Sequence, residues 1–228
     1  IAIAKTAAVT NVTTFANHDL FERRLFSGRL KEFYDPQLKR LYNDWEQIRP
    51  DGPTSVAKVI KRAFESFQIQ DRCISVISHG DLHDFNLSVS PDLFFDLEYT
   101  GLNSLASEVA CYLWYIYAQS GTLIAKYNKR FFEKSRLVDN DKVTQHHLKH
   151  IFWEEFVSPI IEKYKHADLD LDNELFIRLL ARILGVRDVL SFEKGDRRSI
   201  YLLIEKLALS LDKGKFIDDL KTLTISKD

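Results

Sequence analysis

The helical hydrophobic period of this 228-residue chain is interrupted once, and that interruption limits what it can fold into. Leu38, Leu41, Tyr42, Trp45 and Ile48 recur at helical spacing until Pro50-Asp51-Gly52 breaks the run. Asp35-Pro36 is the expected start of that helix, a capping Asp followed by Pro in the first turn. A second helix is expected from Pro53, with Val56, Val59, Ile60, Ala63, Phe64 and Phe67 on one face. Cys73 to Ile77 (CISVI) then reads as a short strand, His79 to Asn86 as a polar loop, and Leu87–Val89 with Leu93–Phe95 as a hairpin around Ser90-Pro91-Asp92. From Ser104 the period is helical again, over about 104–120, 123–135, 143–165, 172–192 and 196–212, with a short helix near 216–223. Residues 2–16, small and apolar with scattered Thr and Asn, read as a helix that frays near Thr13. The expected class is mainly α (α+β): helices with one small β insert. Chemistry is expected at the insert, because irregular segments on a rigid scaffold commonly carry function.

Composition narrows the partners. The 32 basic and 33 acidic residues nearly cancel, which argues against a dedicated nucleic-acid binder. No apolar run is long enough to span a bilayer; the longest, Val109 to Ala118, reads as a buried aromatic-rich helix. Cys73 and Cys111 are too few for a disulfide framework, and no signal peptide is visible, so the expected compartment is the cytoplasm. The chain starts at Ile1 and holds no methionine, which we read as the mark of a fragment or of omitted residues.

The stretch ISHGDLHDFNLSVSPDLFFDLEYTG, residues 77–101, concentrates the reactive side chains. Asp81 follows a strand and sits in a loop, where a carboxylate can face a cleft and accept a proton. Asn86 offers an amide oxygen suited to Mg²⁺. Asp96 offers a carboxylate to the same ion, and Glu98 shares its strand face if the extended conformation persists. A base, an amide oxygen and a carboxylate are the parts that phosphoryl transfer needs.

Here the sequence resembles a known family. His79-Gly80-Asp81-Leu82-His83-Asp84-Phe85-Asn86 resembles the H-G-D-x-x-x-x-N catalytic loop of the aminoglycoside phosphotransferases and their choline kinase-like relatives. Phe95-Asp96-Leu97-Glu98-Tyr99 resembles the metal-binding segment that follows it, the counterpart of D-F-G in protein kinases. Asn103 and then Glu108-Val109-Ala110 continue the choline and ethanolamine kinase pattern, with Glu108 where that pattern has Asp. Gly80 and His83 fit the aminoglycoside branch better, and the interval from Asn86 to Asp96 is shorter than the family's. The specific match covers about residues 77–110.

The resemblance implies the C-terminal lobe of a protein-kinase-like fold, transferring the γ-phosphoryl group of ATP, with Mg²⁺, to a hydroxyl of a small molecule. It makes Asp81 the catalytic base, Asn86 and Asp96 the Mg²⁺ ligands, Glu98 an auxiliary group near the metal, and His79 a residue that holds the loop. Residues 1–28 are then the hinge-proximal remnant of a nucleotide lobe that is missing or incomplete, or the first helix after it, and 29–228 the catalytic lobe. A non-catalytic kinase-like module that lost nucleotide binding is the alternative.

Rival readings exist for most of these residues. His79, Asp81 and His83 in alternation could hold Zn²⁺, or simply cap turns, but neither accounts for Asn86 with Asp96 and Glu98. Ile3-Ala4-Lys5 superficially matches the nucleotide-binding lysine motif of kinases, yet small helical residues follow it and no G-x-G-x-x-G exists in the chain. Tyr112, Trp114, Tyr115, Tyr117, Phe152, Trp153 and Phe156 invite a cation–π cage, but aromatic residues on such helices mostly form core. The acidic run Asp168, Asp170, Asp172 and Glu174 reads as solvated surface, with Asp172 at a helix N-terminus.

Overall fold

The computed structural model describes residues 10–14, 39–69, 72–80, 100–119, 152–185 and 189–222. In chain order the elements are β1 (Thr10–Thr14), α1 (Arg40–Ile48), α2 (Gly52–Ile69), β2 (Arg72–Ser78), β3 (Gly101–Ser104) and α3 (Leu105–Gln119). A π-helical turn (Phe152–Val157), α4 (Ser158–Lys163), α5 (Leu171–Gly185), a 3₁₀ turn (Val189–Ser191), α6 (Lys194–Asp212) and α7 (Phe216–Thr222) follow. The described residues are therefore mainly helical with one small antiparallel sheet. They contain no helix long and apolar enough to cross a membrane.

The chain divides into two compact units. The first takes Ile1–His18, Asp71–Leu169 and Lys221–Asp228; the second takes Asp19–Gln70 and Asp170–Leu220. The expected boundary after residue 28 falls outside the described residues.

The first unit is built on the three-stranded sheet, ordered β1-β2-β3 and antiparallel throughout. Its middle strand is the expected one. In β2, Cys73, Ile74, Ser75 and Val76 are buried, as suits a short β-branched strand flanked on both edges. β1 corrects the expectation of a helix over 2–16: Thr10–Thr14 is a strand paired with β2, Val12 opposite Ile74. Four of its five residues are β-branched (Thr10, Val12, Thr13, Thr14), and such side chains lose little on a pleated surface but crowd a helix. β3 was not expected, because Gly-Leu-Asn-Ser carries no strand propensity; pairing with the other edge of β2 makes it one. Helix α3 packs on β2, and its Leu105, Val109 and Leu113 are buried. Trp114 and Trp153 are buried core residues, in keeping with a core role for the aromatics, and Cys73 and Cys111 are buried and not joined in a disulfide. The expected helix over 143–165 is described from Phe152, where a π-helical turn leads into α4 with a Pro in its first turn. A Pro lacks the N–H that would continue the preceding ladder, so a change of helical register there is reasonable.

The second unit is a helical cluster around α5. From Glu174 to Leu184 every residue of α5 is buried, the pattern of a helix surrounded by others; α2 and α6 both pack on it. Its polar residues are accommodated inside the core. Arg178 donates from Nε to Glu174 Oε1 at 2.9 Å, one turn earlier, and its guanidinium lies 5.5 Å from the centre of the Phe67 ring. The helix expected over 172–192 is described as α5 up to Gly185, and Val189–Ser191 is a 3₁₀ turn. Asp172 does lie in the first turn of α5.

α1 joins this core through Leu41 and Trp45, the latter stacked on Tyr201 of α6 with ring centroids 4.8 Å apart. The start predicted for this helix at Asp35-Pro36 lies outside the described residues. Between α1 and α2 the chain turns at Asp51, whose φ of 66° is left-handed. Gly52 then passes close to the Glu205 carboxylate, which accepts from Trp45 Nε1 at 3.0 Å and from Arg49 Nε and Nη2 at 2.7 and 2.6 Å.

Candidate functional site

The motif-bearing segment leaves the sheet from β2 and returns to it as β3. Ser78, the last residue of β2, pairs with Gly101, the first of β3, and Ile77 pairs with Leu102. The two ends of the connection that carries Asp81, Asn86, Asp96 and Glu98 are therefore hydrogen-bonded neighbours, about 5 Å apart at Cα. Those four residues and His83 lie outside the described residues, as does the expected hairpin at 87–95. His79 and Gly80, the first two residues of the motif, are described and buried.

Glu108 fixes the start of this connection. Its place follows from local sequence: Ser104 ends β3 and caps α3, its hydroxyl accepting the Ser107 backbone N–H at 3.1 Å. That puts Glu108 in the first turn of α3, where the positive end of the helix dipole favours a carboxylate. The side chain is fully buried, and Oε2 accepts from Ser78 Oγ at 3.0 Å and from the Gly80 backbone N–H at 3.1 Å. The bonds join α3 to the point where β2 gives way to the loop. Gly80 itself has φ 81°, a left-handed conformation that costs other L-residues roughly 1–2 kcal/mol, so glycine is the fitting residue between His79 and Asp81. The Asp of the resembled pattern is one methylene shorter; in this chain the longer Glu reaches both donors.

Asn103 completes the arrangement from β3. Its amide nitrogen donates to Ser78 Oγ at 3.2 Å and lies 3.4 Å from the Ser78 carbonyl oxygen. Ser78 Oγ thus receives one hydrogen bond and gives another, both within the buried interior. Sequence reasoning named Asn103 and Glu108 through the resemblance but passed over Ser78. A signal was present: Ser78 occupies the same strand face as Ile74 and Val76, and a polar side chain on an inward face requires a partner.

Chemically, the described part of the site is a rigid mount. It holds Ser78 and Gly80, which lead into the motif, and it buries a carboxylate whose charge is met by a hydroxyl, a backbone N–H and a helix N-terminus. Among the described residues no group of three or more His, Cys, Asp or Glu side chains is placed to hold a metal ion. From Asp170 on, the acidic run serves the second unit: Asp170 caps the Asn173 N–H, and Asp172 accepts the Ile217 N–H. Burial pushes the Asp172 carboxyl above the ordinary carboxylate range, with Asp170 and Asp218 adding to the rise and the Ile217 bond opposing it. Compared with known proteins, the chain matches no family model, no curated protein and no solved structure.

Proposed function

We propose that this chain is the acceptor-side lobe, kinase-like in fold, of an ATP- and Mg²⁺-dependent phosphotransferase acting on a small-molecule hydroxyl. The observation that supports it most is the mount under the motif: Glu108, Asn103 and Gly80 tie the start of His79-Gly80-Asp81 to α3 and β3. A catalytic loop needs such anchoring, because phosphoryl transfer depends on positioning and charge stabilisation more than on covalent chemistry.

In this reading Asp81 orients the acceptor hydroxyl and takes its proton, and buried His79 holds the loop. Asn86 and Asp96 are the Mg²⁺ ligands, with Glu98 as the auxiliary carboxylate. An amide oxygen and two carboxylates form a hard, all-oxygen donor set, which suits Mg²⁺ and not the softer ligand preference of Zn²⁺. When bound, the ion neutralises charge on the phosphate oxygens. The acceptor belongs to the aminoglycoside, choline or ethanolamine class or a related alcohol, and the near-balanced charge of the chain fits a small-molecule partner better than nucleic acid. A cytoplasmic location accords with two buried cysteines that form no disulfide.

The test is a phosphorylation screen of the full-length protein against aminoglycosides, choline, ethanolamine and sugars, repeated with Asp81→Asn. The expected result is turnover of one class, with kcat falling by at least about two orders of magnitude in the variant and ATP affinity nearly unchanged. Retained turnover in Asp81→Asn removes that residue from the role of base. Mg·ATP binding without turnover of any acceptor would favour a non-catalytic module.

A further inference from the structure

We infer that Ser78, a residue outside the recognised motif, is a positioning residue for the loop, acting as a hydroxyl relay between Asn103 and Glu108. The inference rests on the phosphotransferase reading only for its consequence in turnover; the relay itself is a matter of side chains within the first unit.

The argument starts from the length of Glu108. A glutamate has one more rotatable bond than the aspartate of the resembled pattern, so a buried glutamate must be held if its oxygen is to stay on one backbone N–H. Oε2 meets Gly80 N at 3.1 Å, and the group that approaches the same oxygen from the strand is Ser78 Oγ at 3.0 Å. The direction of that hydroxyl is set in turn. Asn103 Nδ2 donates to Oγ at 3.2 Å, occupying a lone pair, which leaves the Ser78 proton to point at the carboxylate. The chain order Asn103 → Ser78 → Glu108 ← Gly80 is thus directional. It couples β3, the end of β2 and the first turn of α3 to the residue immediately before Asp81. All the side chains of the relay are buried, so water does not compete for the bonds.

Ser78→Ala removes the relay with the smallest change of shape, and Ser78→Thr restores the hydroxyl. The readout is the Gly80 amide in NMR spectra of the chain as it stands: its hydrogen-exchange rate and its through-hydrogen-bond coupling to the Glu108 carboxylate carbon. The expected result is exchange at Gly80 about tenfold faster or more in Ser78→Ala, the scale of one buried hydrogen bond. The coupling should weaken, Ser78→Thr should recover both, and exchange at Ile74 and Val76 should stay as in the parent. Asn103→Ala, which breaks the relay at its other end, should move Gly80 in the same direction and serves if Ser78→Ala does not fold. An unchanged Gly80 amide in either folded variant overturns the inference, as does an equal loss of protection across β2, which would mean general loosening. In the full-length protein, with whichever acceptor the screen identifies, Ser78→Ala should lower kcat with little change in KM for ATP, and Ser78→Thr should restore it. If no acceptor is phosphorylated, the phosphotransferase reading fails while the Gly80 measurements still decide the relay.

Discussion

Replacing Glu108 with Asp tests how closely the site is fitted to its own sequence, because Asp is the residue the resembled pattern carries. Shortening the side chain by one C–C bond of about 1.5 Å withdraws the carboxylate from donors now at 3.0 and 3.1 Å, to separations of roughly 4 Å. Neither donor can follow freely. The Gly80 N–H is fixed by a backbone turn with φ 81°, and Ser78 sits at the hydrogen-bonded end of β2. A buried donor that loses a charged acceptor costs about 1–3 kcal/mol, and the deleted methylene adds about 1 kcal/mol of lost burial. Ser78 can partly re-aim, so the expected loss is about 2–4 kcal/mol for Glu108→Asp.

With two compact units in the chain, a single melting temperature would mix their transitions. The suitable assay is amide exchange measured as a function of denaturant. The loss should appear at the amides of β2 and of α3 and be absent from α5 and α6. Glu108→Asp within about 0.5 kcal/mol of the parent in the first unit would refute the argument, since surface-like tolerance is incompatible with a fitted, fully buried carboxylate.

Three further outcomes concern the second unit. In Gly52→Ala the new Cβ would stand 2.5 Å from Glu205 Oε1 and 2.8 Å from Trp45 Nε1, so the variant should lose about 1–3 kcal/mol in denaturant unfolding. In a Glu205→Ala background the loss should be smaller, because only the overlap with Trp45 remains, and equal losses in both backgrounds would sink the part assigned to Glu205. Asp51→Gly should raise stability by roughly 0.5 kcal/mol, relief of the left-handed φ of 66° outweighing the added chain entropy; a lower denaturation midpoint would refute this. Asp172 has its folded-state pKa raised above the ordinary value, chiefly by burial, so its favourable contribution is complete in acid and is lost as pH rises through the raised value. Asp172→Asn keeps an oxygen for the Ile217 N–H and should therefore gain more stability at neutral pH than near about pH 4; a pH-independent difference in denaturation midpoint would show that ionisation of this group is immaterial to folding.

What the sequence disclosed, and what it withheld, divides along the range of the forces involved. The strand Arg72–Ser78 and the helices at 105–119, 171–185 and 194–212 were legible within about two residues at their starts because each is marked by its own local run or recurrence of apolar residues. β3 had no such mark. Gly101–Ser104 is a strand because β2 presents it with hydrogen-bonding groups, and a local reading cannot contain that cause. β1 was misread for a related reason: Thr10 to Thr14 pair with residues some sixty positions away, and the small apolar residues before them suggested a helix. The site shows the same division at the scale of single atoms. That Glu108 follows a capping serine, and so falls in a first helical turn, can be read locally. That its carboxylate needs the hydroxyl of Ser78, 30 positions earlier, and that this hydroxyl needs Asn103, 25 positions later, depends on the antiparallel register of β2 and β3. A shift of that register by one residue would turn Asn103 to the other face of the sheet and break the relay without altering any residue of the H-G-D motif. The motif thus specifies which groups can do chemistry, while the pairing of two strands, one of them invisible to propensity, specifies whether its first residues are held in place.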